Sequence, residues 1–272
     1  MKVGIVGAGQ VGSTVAYACL LRGSANELVL YDLDTDRADA QALDLAQGVQ
    51  FAQMASVTSC PEPGGLAGSD VVVIAGGASH ILGGTRLDLA EANTAMCRSI
   101  VGELASGSPD AVFLAVSNPV DVVTWAALDC GVDPARVLGT GTVLDSARLR
   151  VALAGRCGVA VQNVHAHVVG EHGDSEVALW SNASIGGVPL DHWGPTLGGP
   201  PDDEERARML ARVRDAGYRI IAGKGATNFA IGTVSARVIE AIVRDERRVL
   251  PVSSFLHGWL GFDDVCMSVP SV

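Results

Sequence analysis

The chain has 272 residues, of which 48% are hydrophobic and 18% are charged, and its formal net charge is −11. This composition is typical of a globular protein with a buried core, organised as one large domain or two small ones. A negative surface repels a phosphate backbone, so we expect no nucleic-acid partner. The sequence holds no run of about 18 apolar residues, so we expect no membrane-spanning segment.

The N-terminal residues and the cysteines indicate a cytoplasmic protein. MKVGIVGAG (1–9) lacks the long apolar region and the cleavage site of a secretory signal peptide. The six cysteines are scattered and form no CxxC pair, which is typical of reduced structural thiols.

The first half of the chain alternates apolar strands with helices. Strands are predicted at 3–6, 27–32, 70–77 and 111–118, and helices at 12–21, 35–47 and 88–105. Strands that are apolar on both faces and separated by helices are typical of a parallel sheet built from βαβ units. We therefore predict an α/β fold, with a Rossmann-type doubly wound parallel sheet over residues 1–139.

From about residue 138 the pattern changes to that of an α+β substrate domain, which we predict over residues 140–272. The predicted elements are a helix at 146–157, longer strands in HAHVVGEHG (165–173) and VALWSNASI (177–185), and helices at 202–222 and 231–245. Asp202 and Glu205 have the spacing of a capping box at the start of the first of these two later helices. The helix at 231–245 is a candidate to pack back on the first domain.

Residues 7–12 read GAGQVG, which has the form GxGxxG and lies between a predicted strand and a predicted helix. Gly7 allows a tight turn, Gly9 lets the backbone approach a pyrophosphate, and Gly12 permits close packing of helix and strand. Asp32 ends the next strand, where a carboxylate accepts hydrogen bonds from both ribose hydroxyls and repels a 2′-phosphate. The pattern predicts NAD rather than NADP, with the contacts Gly7, Gly9, Val11, Gly12 and Asp32.

Three of the six histidines, His165, His167 and His172, lie within eight positions beside several carboxylates. A metal site, an acid/base site and an ordinary polar strand end all fit this pattern. Two glycines bracket His172 and no cysteine is near it, which disfavours a metal, so we predict none. An acid/base histidine needs a carboxylate to orient it and a cation to bind the substrate. Asp145 and Arg148, three residues apart on a predicted helix, offer both, although an ordinary surface ion pair is the alternative.

Seven features occur in the order found in the L-lactate/malate dehydrogenase family, and the chain is most similar to bacterial L-lactate dehydrogenases. They are GAGQVGS (7–13), Asp32, GGTRLDL (83–89), VSNPVD (116–121), GTGTVLDSARLR (139–150), GEHGDS (170–175) and KGAT (224–227). The resemblance covers nearly the whole chain. It implies an NAD-dependent enzyme that interconverts L-lactate and pyruvate by hydride transfer. A malate dehydrogenase, a non-catalytic NAD-binding protein and a zinc enzyme stay open as alternatives.

The resemblance also implies a role for each matching residue. His172 would give and take the substrate proton, with Asp145 holding its ring. Arg148 would bind the substrate carboxylate, and Arg86, on a mobile loop, would polarise the substrate carbonyl. Asn118 would contact the nicotinamide and the substrate oxygen, and Thr227 would line the substrate pocket.

His80 departs from the family pattern, which has glutamine in lactate dehydrogenases and arginine in malate dehydrogenases. A neutral imidazole tolerates the methyl group of pyruvate, whereas a protonated one pairs with a second carboxylate. Because histidine titrates near pH ~6.5, we expect the preference for oxaloacetate over pyruvate to rise as the pH falls from about 8 to 6. A side chain that points to solvent is the alternative.

Arg150 and His165 match positions that bind fructose 1,6-bisphosphate between subunits in allosteric members of the family. The resemblance therefore implies a homotetramer with this bisphosphate as its activator. Paired cations at a symmetric interface repel each other until an anion binds, which is a physical basis for activation. The chain ends at MSVPSV (267–272), where family members continue through another strand and a long helix, so we expect a C-terminal segment to be missing.

Overall fold

The computed structural model describes residues 1–78, 86–194 and 198–272, without the side chains of residues 86 and 87. The contacts expected of His80 and of the Arg86 side chain lie outside the described residues.

The described strands follow the predicted order in the first half of the chain and are short in the middle of the second. They are β1 (Lys2–Val6), β2 (Glu27–Tyr31), β3 (Ser56–Cys60), β4 (Val71–Ile74), β5 (Val112–Ala115), β6 (Val137–Gly139), β7 (Val164–His165), β8 (Val168–Val169), β9 (Val177–Ala178), β10 (Ser184–Ile185), β11 (Val188–Pro189), β12 (Leu250–Leu256) and β13 (Val265–Ser271). The sequence patterns did not identify β3, β6, β11, β12 or β13.

Apart from α4, which was not predicted, the described helices lie close to their predicted positions. They are α1 (Gln10–Arg22), α2 (Thr35–Gly48), α3 (Arg86–Gly107), α4 (Val120–Leu128), α5 (Val143–Cys157), α6 (Asp203–Lys224) and α7 (Phe229–Val243). No helix in the described part of the chain is both long and apolar enough to cross a membrane.

The largest described sheet has eight strands in the order β13-β12-β6-β5-β4-β1-β2-β3. The run from β6 to β3 is parallel, whereas β12 pairs antiparallel to β6. Strands β4 and β5 are buried almost along their whole length, as expected of strands covered on both faces by helices. The order β3-β2-β1-β4-β5-β6 is that of a Rossmann dinucleotide-binding sheet, which confirms the predicted fold class.

The chain divides into two compact units, each with its own hydrophobic core. The first unit contains residues 1–140, 228–248 and 253–266. The second unit contains the remaining segments, 141–227, 249–252 and 267–272. Residues 140–272 were predicted as one substrate domain, so the structure differs in assigning part of this stretch to the first unit.

Helix α7 belongs to the first unit because its buried groups find their partners on α1. A Cβ atom at Gly232 would lie 2.6 Å from Thr14, so glycine permits the two helices to approach closely. Glu240 of α7 is 2% exposed and accepts hydrogen bonds from Nε and Nη2 of Arg22 at 2.8 and 2.7 Å. A buried carboxylate requires such a partner, and Arg22 lies at the end of α1.

The second unit packs α5 and α6 against short antiparallel strands, with Leu149, Leu153, Val164 and Met209 among its buried residues. The prediction of two longer strands at 165–173 and 177–185 was wrong. Strand pairing of β8 ends at Gly170, whose φ of +91° departs from extended backbone. A 3-10 turn at Trp180–Asn182 likewise separates β9 from β10.

Candidate active site

The turn between β1 and α1 is crowded at two glycines and open at a third. Gly7 has a φ of +94°, and a Cβ atom there would lie 2.4 Å from Cα of Gly76. A Cβ atom at Gly12 would lie 1.8 Å from the carbonyl oxygen of Gly7, so both positions require glycine. At Gly9, by contrast, an added Cβ atom would have no described atom within 4 Å outside the two adjacent residues. Gly9 is also the N-cap of α1 and has no side chain to occupy the N–H groups of the first turn, which suits a pyrophosphate.

Asp32 lies directly after β2, beside this turn. Its Oδ2 accepts a hydrogen bond from the backbone N–H of Ala8 at 2.7 Å, and its Oδ1 accepts one from Asp34 at 3.0 Å. Arg37 is more distant, with 3.8 Å between its Nη1 and Oδ1 of Asp32. These bonds hold the carboxylate where the GxGxxG pattern predicts a ribose, and Val11 is half-buried in the first turn of α1.

Asn118 follows β5 at the carboxyl end of the parallel strands, and a residue that sequence reasoning missed holds its backbone. Nδ2 of Asn93 donates to the carbonyl oxygens of Asn118 at 2.7 Å and Ala78 at 3.1 Å. Its Oδ1 accepts from the N–H of Ala78 at 2.8 Å, and the side chain is 2% exposed. Nothing in the sequence signals Asn93, because its predicted helix also carries other polar residues such as Glu91 and Arg98.

In the second unit, Asp145 joins the two side chains that the sequence associated with it. Its Oδ2 lies 2.6 Å from Nδ1 of His172, and its Oδ1 accepts a hydrogen bond from Nη1 of Arg148 at 2.8 Å. The Asp145 side chain is only 2% exposed. This burial excludes the alternative of an ordinary surface ion pair, because both oxygens of the carboxylate have a partner inside the protein.

Buried hydrogen bonds fix the segment that carries His172. Oγ of Ser146, on α5, accepts from the backbone N–H of Val168 at 2.8 Å, which ties β8 to the helix. The backbone N–H and C=O groups of Gly170 pair with those of Ser268 at 2.9 and 2.8 Å. His172 therefore lies two residues after Gly170, whose backbone is held by Ser268 just beyond the end of β8.

Glu176 is a further member of this cluster to which the sequence assigned no role. Its side chain is 1% exposed, and burial is the main cause that raises its pKa to about 7. The charge of Asp145 raises the pKa of Glu176 further, while His172, Arg214 and Arg148 lower it. Oε1 of Glu176 has no hydrogen-bond partner among the described atoms.

Of the two glutamates near His172, Glu171 lies at the surface and Glu176 lies inside. Glu171 is exposed and accepts a hydrogen bond from Oγ of Ser175. Val177, next to Glu176, has 54% of its surface exposed, so alternation along the strand directs Glu176 inward. Nothing in the sequence signals Glu176, because alternation read from residue type alone would place the apolar Val177 inward.

Asp145, His172 and Glu176 each offer a ligand atom within 4.8 Å of the others, which is close enough for a shared metal ion. The guanidinium groups of Arg148 and Arg214 act on the same carboxyl groups. Two fixed cations beside the cluster disfavour a divalent cation there. The second such group in the described chain is exposed and consists of His257, Asp263 and Asp264.

The two residues expected to bind a bisphosphate lie on neighbouring elements of the second unit. Nε of Arg150 donates to the carbonyl oxygen of Ala166 at 2.9 Å, and its Nη2 lies 3.3 Å from Nδ1 of His167. Burial lowers the pKa of the Arg150 guanidinium. His165 is exposed in β7. Thr227, expected to line the substrate pocket, is half-buried after the C-terminal end of α6.

Comparison with known proteins identifies the family. Residues 1–139 match the lactate/malate dehydrogenase, NAD binding domain, and residues 142–272 match the lactate/malate dehydrogenase, alpha/beta C-terminal domain. The chain belongs to the lactate/malate dehydrogenase family. Membership in this family confirms the resemblance seen in the sequence, and the match to its NAD binding domain confirms NAD as the cofactor.

Relatives within the family match the whole chain. The L-lactate dehydrogenase of Bifidobacterium animalis subsp. lactis is 46% identical over 273 residues, which cover 100% of this chain and 85% of the relative. That of a Synechococcus species is 44% identical and covers 100% and 88%. The crystal structure of a minor L-lactate dehydrogenase from Enterococcus mundtii in the ligands-bound form has a TM-score of 0.93 at 37% identity, covering 100% and 86%.

Proposed function

We propose that this member of the family is an NAD-dependent L-lactate dehydrogenase, which interconverts L-lactate and pyruvate. The observation that carries the proposal is the buried Asp145 carboxylate bound to both His172 and Arg148. It is supported by relatives of 41% to 46% identity over the whole chain, each an L-lactate dehydrogenase.

The residues of the first unit fit the cofactor. Gly9 is open where a pyrophosphate has to approach the backbone, and Asp32 is fixed beside the turn to accept the ribose hydroxyls. When bound, NADH supplies the hydride that reduces the keto carbon of the substrate.

His172 supplies the proton. With Nδ1 2.6 Å from Asp145, the ring donates its Nδ1 hydrogen to the carboxylate, which leaves Nε2 to give or take the substrate proton. Reduction of pyruvate builds negative charge on its keto oxygen, and the imidazolium stabilises that charge and then donates its proton. Asp145 stabilises the imidazolium, so a fixed anion favours the charged form of His172.

Arg148 binds the substrate carboxylate in this proposal. A guanidinium has five N–H donors, and Asp145 uses one of them, on Nη1. The remaining donors form the planar fork that matches a carboxylate, and the bond to Asp145 holds the guanidinium in a fixed orientation. Arg86 would polarise the substrate carbonyl, Asn118 would contact the nicotinamide, and Thr227 would line the pocket.

The test is NADH oxidation by the purified chain, with pyruvate and with oxaloacetate at equal concentrations near neutral pH, with fructose 1,6-bisphosphate present. We expect faster turnover of pyruvate. We also expect His172→Gln to lower the rate by about 10²-fold or more, since it removes the proton donor. His192→Gln, at an exposed histidine of the same unit, is the matched control and should retain full activity.

Other outcomes of the assay assign a different function. Faster turnover of oxaloacetate would identify a malate dehydrogenase. Binding of NADH without turnover of either keto acid would identify a non-catalytic NAD-binding protein.

We also propose that the enzyme is a cytoplasmic homotetramer of glycolysis and fermentation, activated by fructose 1,6-bisphosphate. The support is the pair of cations at Arg150 and His165, both at positions where allosteric family members bind this ligand. Arg150 is a half-buried cation without a carboxylate partner among the described residues, a setting that favours an anion.

A further inference from the structure

Glu176 is a buried acid in the candidate active site to which the proposed mechanism gives no role. Its side chain is 1% exposed, although a carboxylate is rarely buried without a partner. Oε1 has no hydrogen-bond partner among the described atoms. Burial of a polar atom in this state is costly, so the position calls for an explanation beyond packing.

The charged groups that face Glu176 come from three elements. Asp145 and Arg148 lie on α5, His172 lies on the loop after β8, and Arg214 lies on α6. Glu176 and Asp145 each place a ligand atom within 4.8 Å of one on His172, so all three groups share one small volume.

Arg214 does not neutralise the carboxyl group by a direct ion pair. Its Nη2 donates to the backbone carbonyl oxygen of Glu176, and its buried Nε has no partner among the described atoms. The cation therefore fixes the backbone at Glu176 and leaves the acid free to change its protonation state.

The two protonation states of Glu176 differ in their effect on His172. A protonated Glu176 places no charge beside Asp145. An ionised Glu176 adds a second negative charge near the ring and favours the imidazolium. Two groups this close, in a buried site, influence each other's titration.

We propose that Glu176 is a positioning residue for His172, because its ionisation sets how strongly the site holds the imidazolium and the two side chains titrate as a coupled pair. The catalytic consequence rests on the proposed function, whereas the coupling itself does not. The pKa of Glu176, raised to about 7 mainly by burial, supports the proposal because the acid then changes charge in the physiological range.

The direct test is a titration of His172 followed by the ring ¹³Cε1–¹H NMR signal, which is assigned by its absence in His172→Gln. Glu176→Gln keeps the shape of the side chain and removes its negative charge. We expect the pKa of His172 to fall by about one unit in this variant, the size typical of a charge at 4–6 Å. Glu171→Gln, an exposed change of the same charge in the same loop, should leave the titration unchanged.

Two further variants keep the test decisive if Glu176→Gln folds poorly. Glu176→Asp retains the charge and should bring the pKa of His172 back toward that of the wild type. In His172→Gln, the carboxyl ¹³C signal of Glu176 should titrate at higher pH, because the imidazolium that lowers its pKa is gone. Identical His172 titrations in wild type, Glu176→Gln and Glu176→Asp would overturn the proposal, as would a Glu176 titration that ignores His172.

Kinetics separates this proposal from the proposed function. Pyruvate reduction needs the imidazolium, so the alkaline fall of kcat/KM should move to lower pH in Glu176→Gln by the same shift that NMR measures. Turnover of pyruvate with identical pH profiles in both proteins would contradict the role of Glu176. A wild type that turns over neither keto acid but shows the NMR shift would contradict only the proposed function.

Discussion

Asp145 connects the other two charged side chains at the centre of the candidate site. One buried carboxylate binds an imidazole on one oxygen and a guanidinium on the other. The spacing of Asp145 and Arg148 on a helix was readable in the sequence, whereas their contact with His172 depends on how β8 meets α5. Burial identified Glu176 and Asn93, because neither residue type nor spacing distinguishes them from exposed acids and amides.

Arg148→Lys tests whether the guanidinium binds the substrate carboxylate. A lysine ammonium is a single point charge without the planar fork, so one of two charged hydrogen bonds is lost. We expect the KM for pyruvate to rise by roughly 10- to 100-fold, with a smaller fall in kcat and unchanged affinity for NADH. Steady-state kinetics and NADH fluorescence measure the two effects.

Arg98→Lys is the matched control for this substitution. Arg98 forms an exposed ion pair with Asp129 in the first unit and should tolerate the change. A KM for pyruvate that is the same in Arg148→Lys as in the wild type would remove Arg148 from the substrate site.

Helix ends show which elements follow from local sequence. The predicted capping box is present: Oδ1 of Asp202 accepts from the N–H of Glu205 at 2.8 Å, and Oε2 of Glu205 accepts from the N–H of Asp202 at 3.2 Å. Helix α6 ends at Lys224, two residues after the predicted end at residue 222, and Gly225, with a φ of +88°, caps it rather than Gly223. Both glycines suit a helix end, so the sequence alone did not distinguish them.

Asp202→Ala should destabilise the second unit. The change leaves the N–H of Glu205 without its acceptor at the start of α6, which typically lowers the free energy of unfolding by about 1 kcal/mol. Urea denaturation followed by circular dichroism measures the loss. Arg219→Ala, at an exposed position inside the same helix, should change the free energy of unfolding much less. Equal stability of the Asp202→Ala variant and the wild type would show that the box contributes nothing.

The proposed tetramer and its activation by a bisphosphate concern the whole molecule. The net charge of −11 opposes association with an anion, so any activation by a bisphosphate must depend on local cations such as Arg150 and His165. We expect fructose 1,6-bisphosphate to lower the pyruvate concentration at half-maximal rate by about fivefold or more and to increase the tetramer fraction. Kinetics and sedimentation velocity measure these effects.

His165→Gln should abolish both effects, since it removes an exposed imidazole without disturbing the buried contacts of Arg150. His192→Gln, a second exposed histidine, serves as the control. Activation of His165→Gln to the same extent as the wild type would exclude His165 from a bisphosphate site.

Short-range patterns account for what could be predicted. Apolar strands between helices, the glycine turn and the capping box each depend on residues close together in the chain, so their physics is complete within a few positions. The parallel sheet and the NAD cofactor followed from them, and the order of the motifs along the chain indicated the family. Other features depend on groups far apart in sequence. They are the burial of Glu176, the hydrogen bonds of Asn93 to the backbone of two loops, the packing of α7 on α1 and the short lengths of β7 to β10. Such contacts form only when the chain has folded, because burial and partners come from other segments and no local pattern encodes them.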